Sequence, residues 1–116
     1  MVNYCLTLPI LPGGIELLKK FVHENGGHTQ EHDEFYKSAG INREHLWIQH
    51  SLPGSGAPDL AIVSIETDDP AQTLKEFATS NHSWAIRFRE FAKKTYGIDF
   101  TGPPPPLNEN IVDWHQ

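Results

Sequence analysis

The side chains with most chemistry to offer in this chain are its histidines, seven in 116 residues. Imidazole is the commonest protein metal ligand and the side chain whose charge changes nearest neutrality, so each histidine is a candidate ligand or proton-transfer group. His28 and His32 stand four apart, as two zinc ligands on one helical face would. Thr29, however, reads as the N-cap of the following helix and leaves His28 outside it. His45 and His50 are an odd number of residues apart, so a regular strand aims them at opposite faces. No Cys pair, His-Glu-x-x-His run or glycine-rich phosphate loop accompanies them, and neither a metal nor a cofactor is expected.

Two groupings are left. Asn3, Cys5 and Thr7 form the polar side of an N-terminal strand, and His45, Trp47 and Gln49 form one side of a later strand. If those sides coincide, they line one cavity with an indole wall, or else fill an interior and satisfy one another. His82 and Trp84 stand at the head of the last long helix, where the imidazole acts as an acid or base or simply caps the helix. The candidate catalytic residues are therefore His45 and His82. The candidate ligand-binding residues are Asn3, Tyr36, Trp47, Gln49, Trp84 and Arg87. Arg87 and Arg89 offer bidentate donors for a carboxylate, or surface pairing with Glu90 or the C-terminal tail. Cys5, mid-strand between Tyr4 and Leu6, reads as a small buried hydrophobe rather than a nucleophile.

The elements that must hold these groups follow from periodicity. Val2, Tyr4, Leu6, Leu8 and Ile10 alternate with polar residues as a strand with one apolar side. After Pro12-Gly13-Gly14, helical spacing predicts a helix over 14–25, ended by Asn25-Gly26-Gly27, and a short helix from Thr29 to about Ala39, stopped by Gly40. Arg43 to Leu52 alternates again, with Leu46 and Ile48 opposite His45 and Trp47. A breaker-rich loop, Pro53 to Pro58, joins it to an apolar strand over Leu60 to Glu66, which makes a hairpin. Asp69, Pro70 and Gln72 supply N-cap, N1 and N3 of a third helix. A fourth presents Trp84, Phe88, Phe91 and Ala92 on one face and ends at Gly97; Ile98 to Thr101 reads as a last strand. Gly102 and Pro103 to Pro106 then lead into a tail, 103–116, whose Ile111, Val112 and Trp114 are expected to dock on this subunit or a neighbour.

This order, with residues 1–102 as one domain, is the β-α-β-β-α-β ferredoxin-like pattern of an α+β protein with an extra short helix in each half and a four-stranded antiparallel sheet. The segments "LPILPGGIELLKKF", "SAGINREHLWIQHSLPG", "LAIVSIETDDPAQTLKEFA" and "SWAIRFREFAKKTYGIDF" together resemble an uncharacterised bacterial domain-of-unknown-function family of the dimeric α+β barrel superfamily. The resemblance implies two ferredoxin-like subunits packed sheet against sheet. It also implies relatives as varied as cofactor-free monooxygenases, haem-degrading monooxygenases and proteins without assigned chemistry, so it selects no reaction. Haem-degrading relatives use a first-strand asparagine, a tryptophan and a helical histidine on iron. Asn3, Trp84 and His82 echo these types, but His82 precedes its helix and departs from the pattern.

The bulk composition agrees with one soluble domain: 38% hydrophobic residues and 21% charged. A formal net charge of -6 repels a phosphate backbone, so nucleic acid is not an expected partner. No apolar run approaches the ~20 residues that span a bilayer. A lone Cys5 and an N-terminus without a basic n-region point to a reducing, cytoplasmic setting. The expectation is a homodimeric barrel that binds, or oxidises without a cofactor, a small partly apolar molecule in a pocket between sheet and helices. The alternative is a non-enzymatic dimerisation or interaction module, and the residues do not decide between enzyme and binder.

Overall fold

Alternation and turn chemistry account for most of the architecture seen in a computed structural model, which describes residues 2–116; Met1, where the expected domain begins, lies outside the described residues. The order is β1 (Val2–Pro9), α1 (Gly14–Asn25), α2 (Gln30–Ser38), β2 (Ile41–Gln49), β3 (Leu60–Thr67), α3 (Pro70–Thr79) and α4 (Ser83–Tyr96). The strands form one antiparallel sheet in the order β1-β3-β2. The domain is thus α+β, with β2 and β3 the expected hairpin. No helix is long and apolar enough to cross a membrane among the described residues.

The helix ends show which local signals hold. The Asp69 side chain accepts from the Gln72 amide at 3.2 Å, with Pro70 in the first turn, as the sequence predicts. Gly97 closes α4 in the left-handed conformation, φ 70°. Thr29 behaves otherwise: its hydroxyl donates back to the Gly26 carbonyl at 2.8 Å and caps nothing in α2.

The expected fourth strand is absent. Ile98–Thr101 is a turn in which the Asp99 carboxylate accepts from both the amide and the hydroxyl of Thr101, at 2.9 and 2.6 Å. These local bonds satisfy the backbone that a sheet ladder would have used. The apolar alternation of Ile98 and Phe100 serves packing instead: both lie against the core around Tyr96 and Ala92. The sheet therefore has three strands among the described residues, not the four expected. The exposed edge of β1, where a further strand would pair, is bridged by the tail. Asn108 Oδ1 accepts from the Cys5 amide at 2.6 Å and its Nδ2 donates to the Cys5 carbonyl at 2.8 Å, so one side-chain amide imitates a strand at that position. Beyond it the tail leaves the body, with Ile111 84% and Trp114 78% exposed. It docks on its own subunit only as far as Asn108.

All four helices pack on one side of the sheet. Tyr4, Leu8, Ala61 and Ile65 point to that side and are buried. A β-bulge between Ile41 and Arg43 sets the phase of β2. Because one extra residue flips every following side chain, both Ile41 and Glu44 face the helices, as do Leu46 and Ile48, whereas Arg43, His45, Trp47 and Gln49 face away. At the sheet's far end the Thr73 hydroxyl donates to the Ala39 carbonyl, 2.8 Å, and has no second proton, so the Thr67 hydroxyl donates to it, also 2.8 Å. This buried chain ties β3, α3 and the end of α2.

Candidate active site between sheet and helices

The side of the sheet covered by helices is not filled. A cavity of about 740 Å³ lies between Tyr4, Leu6, Val63 and Ile65 of the sheet and residues of the helices. Its walls are chiefly apolar and aromatic, with Phe21 from α1, Tyr36 from α2, Phe77 from α3 and Trp84, Phe88 and Phe91 from α4. Trp84 is the keystone of this wall. Its ring stacks on Phe35 and Phe88 at 5.3 and 5.5 Å, and its indole N–H donates to the Asn25 carbonyl at 2.8 Å, which locks α4 to the end of α1.

One end of the cavity is polar. The Tyr36 hydroxyl donates to Glu44 Oε2 at 2.7 Å. Glu44 Oε1 has no hydrogen-bond partner and the carboxylate no cationic partner among the described residues. His32 stacks on Tyr36 at 3.8 Å and stands edge-on to Trp84 at 5.5 Å; its Nδ1 lies 2.9 Å from Asp33 Oδ1. Burial pushes Glu44 above the usual carboxylate range, an effect that the Tyr36 hydrogen bond and the nearby His32 partly offset. Burial, then the Glu44 charge, raises Tyr36 well above an ordinary phenol, and Tyr96 likewise. Both phenols therefore keep their protons at neutral pH, and Tyr36 can only donate to the carboxylate.

Between its unfolded and its raised folded value, Glu44 holds a proton in the native chain that the unfolded chain has lost. Stability from this group is therefore lost as pH rises through that window. Urea unfolding of wild type and Glu44→Gln from pH 3 to 8, roughly the span over which carboxylates titrate, isolates it from Glu31 and Asp99, whose lowered values act oppositely. The difference between the two curves is expected to be flat at low pH and to move in favour of the variant above about 4.5, the ordinary glutamate value. A difference moving toward wild type would show that the carboxylate is stabilised as an anion.

The expected site residues divide between the two sides of the sheet. Tyr36 and Trp84 line the cavity. Asn3, Cys5 and Thr7 do share one side with His45, Trp47 and Gln49, since Cys5 opposes Ser64 and Ser64 opposes His45. That side faces away from the helices, so these residues do not line the sheet–helix cavity. The His45 and Trp47 rings stack there at 5.1 Å, 11° apart, with the Arg43 guanidinium 3.4 Å from His45 Nε2. Gln49 Nε2 donates to the neighbouring His50 carbonyl, 3.2 Å. Cys5, expected to be buried, is exposed.

His82 caps α4, its Nδ1 accepting from the Trp84 amide at 3.1 Å. Arg87 donates from Nε to Asn25 Oδ1 at 3.1 Å and pairs with Glu31, while Arg89 holds the Phe77 and Ser80 carbonyls at the end of α3. Neither arginine meets Glu90 or the tail. Sequence reasoning missed Glu44, although it is the one charge on the side of β2 that carries Leu46 and Ile48. His28 and His32 do not join in a metal set; among the described residues no three His, Cys, Asp or Glu side chains converge to hold a metal ion.

No family model, no curated protein and no solved structure matches this chain.

Proposed function

We propose that this chain is a small-molecule-binding domain whose cavity between sheet and helices takes a mainly apolar ligand with one polar group directed at Glu44. The observation that carries this is the combination of an aromatic-walled space of about 740 Å³ with a single half-buried carboxylate at one end. Small-molecule sites have this build: apolar walls give affinity and a few convergent polar groups fix orientation. Cofactor-free oxidation by dioxygen is the catalytic form of the same reading. In it Glu44, with Tyr36 holding its other oxygen, takes the base role first assigned to His45 and His82, which lie on the far side of the sheet and in a helix cap.

The order β1-β3-β2 is that of a ferredoxin-like sheet lacking the strand outside β1. The proposal therefore includes a dimeric α+β barrel of the kind the resemblance implies, with the open sheet sides of two copies facing each other and a fourth strand position left to the tail or to the partner. Exposed Trp47 beside Ile62 and Thr7 supports this pairing. The second reading, an interaction module, is favoured by the solvated apolar tail around Trp114.

A thermal-shift screen with small neutral aromatics tests the binding reading. A ligand at one hundred times its Kd stabilises by ~2.7 kcal/mol, which for a domain of this size raises Tm by roughly 10 °C. Leu46→Trp, at the mouth of the cavity, is expected to abolish the shift while leaving the far-ultraviolet circular dichroism unchanged. Absence of any shift in wild type across the panel would remove the binding reading.

A further inference from the structure

We infer that the ligand of this cavity carries a protonated amine, which completes an ion pair with Glu44 inside an aromatic enclosure. This inference rests on the cavity being a small-molecule site and names the class of molecule it takes.

Elsewhere in the fold acids have partners: Glu31 pairs with Arg87, Glu24 with Lys20, and Asp33 meets the His32 ring nitrogen. Glu44 is drawn farther from water than these, no lysine or arginine reaches it, and the His32 imidazole in the same lining is turned to Asp33 and makes no hydrogen bond or ion pair with it. Its Oε2 is occupied by the Tyr36 hydroxyl at 2.7 Å and its Oε1 has no protein donor among the described residues. A carboxylate removed from water without a countercharge is costly, and such groups are paired in folded proteins or bind something that pairs them. The partner this chain lacks is a cation.

The walls fit one. An ammonium offers three donors, of which one suits Oε1, and its remaining charge is stabilised over ring faces. Tyr36 and Phe21 stand within the same lining as Glu44, and the remaining apolar volume takes a hydrocarbon or aryl body. Lys37 and Arg43 touch the cavity only at its solvent-exposed margin, so they leave the interior charge uncompensated. An anionic ligand would meet the Glu44 carboxylate directly. A neutral alcohol or phenol donates one hydrogen bond to Oε1 but supplies no countercharge, so it binds more weakly than the amine of equal shape.

Isothermal titration at neutral pH with 2-phenylethylamine, 2-phenylethanol and 3-phenylpropanoate separates these cases, since the three probes share an aryl body and differ in the polar end. The amine is expected to bind at least about tenfold tighter than the alcohol, in line with a charge-assisted hydrogen bond, and the acid least. In Glu44→Gln the amine loses its advantage over the alcohol, while an unchanged far-ultraviolet circular dichroism spectrum shows the variant to be folded. In Tyr36→Phe the carboxylate stays and the preference for the amine is retained. An alcohol or acid that binds as tightly as the amine overturns the inference and leaves the cavity reading standing. Failure of all three probes, together with a silent thermal-shift panel, overturns the cavity reading itself.

Discussion

Trp84→Ala is expected to cost this domain roughly 3–5 kcal/mol, the range for deleting a large buried aromatic side chain. Trp84 is only 2% exposed and touches residues from every helix: Phe21, Phe35, Tyr36, Phe77 and Phe88 all lie within 6.1 Å, centroid to centroid. Its loss also strips the Asn25 carbonyl of its indole donor, which adds to the cost. Domains are stable by only ~5–15 kcal/mol, so the variant should show a urea midpoint lowered by roughly a fifth or more, or no cooperative transition. Trp84→Phe keeps the stacking and loses the hydrogen bond, for about 1–2 kcal/mol. A cost below ~1 kcal/mol for the alanine variant would mean that the aromatic cluster is not the centre of the helical layer.

Placing aspartate on the open side of the sheet should have the second large effect, this time on assembly. Trp47 opposes Ile62 and Ile62 opposes Thr7, and Trp47 is 50% exposed in the single chain. If this side packs against its own copy, Trp47→Asp with Ile62→Asp removes an aromatic anchor and buries like charges across a two-fold axis. One lost anchor of ~2 kcal/mol weakens a dimer about thirty-fold, and the double change should exceed that. Wild type is then expected to sediment at twice the 13.1 kDa chain mass and the variant at the chain mass, with far-ultraviolet circular dichroism unchanged because neither residue enters the helical core. A wild type that sediments as a monomer at high micromolar concentration would end the barrel proposal. Dissociation by truncation after Asn108, but not by the aspartates, would assign the contact to the tail.

How far the chain could be read in advance depended on how local each signal was. Asp69-Pro70 announces α3 because a cap needs only its own backbone three residues on. Gly97 closes α4 for an equally local reason, its positive φ. The segment Ile98–Thr101 misled because its alternation is shared by two arrangements: a strand, or a turn whose apolar residues face a core. The Asp99 carboxylate, accepting from the Thr101 amide and hydroxyl, favours the turn. The site divided along the same line. Trp84 was legible as an aromatic residue on an apolar helix face, whereas Glu44 acquires its meaning only through Tyr36, a residue in another element.

The alternation in β1 and β2, the apolar run of β3 and the apolar stripes of the helices were written in the chain, because backbone periodicity and side-chain polarity require no knowledge of distant contacts. They fix that the sheet has two sides and which residues share each. They do not say that all four helices would lie over one side while leaving a space there, nor that the bulge at Asn42 would bring Glu44 under that cover together with Ile41. Those were settled by tertiary packing, since the position of a cavity depends on how well side chains from several elements fill one volume, and that is a property of their sum and not of any one segment.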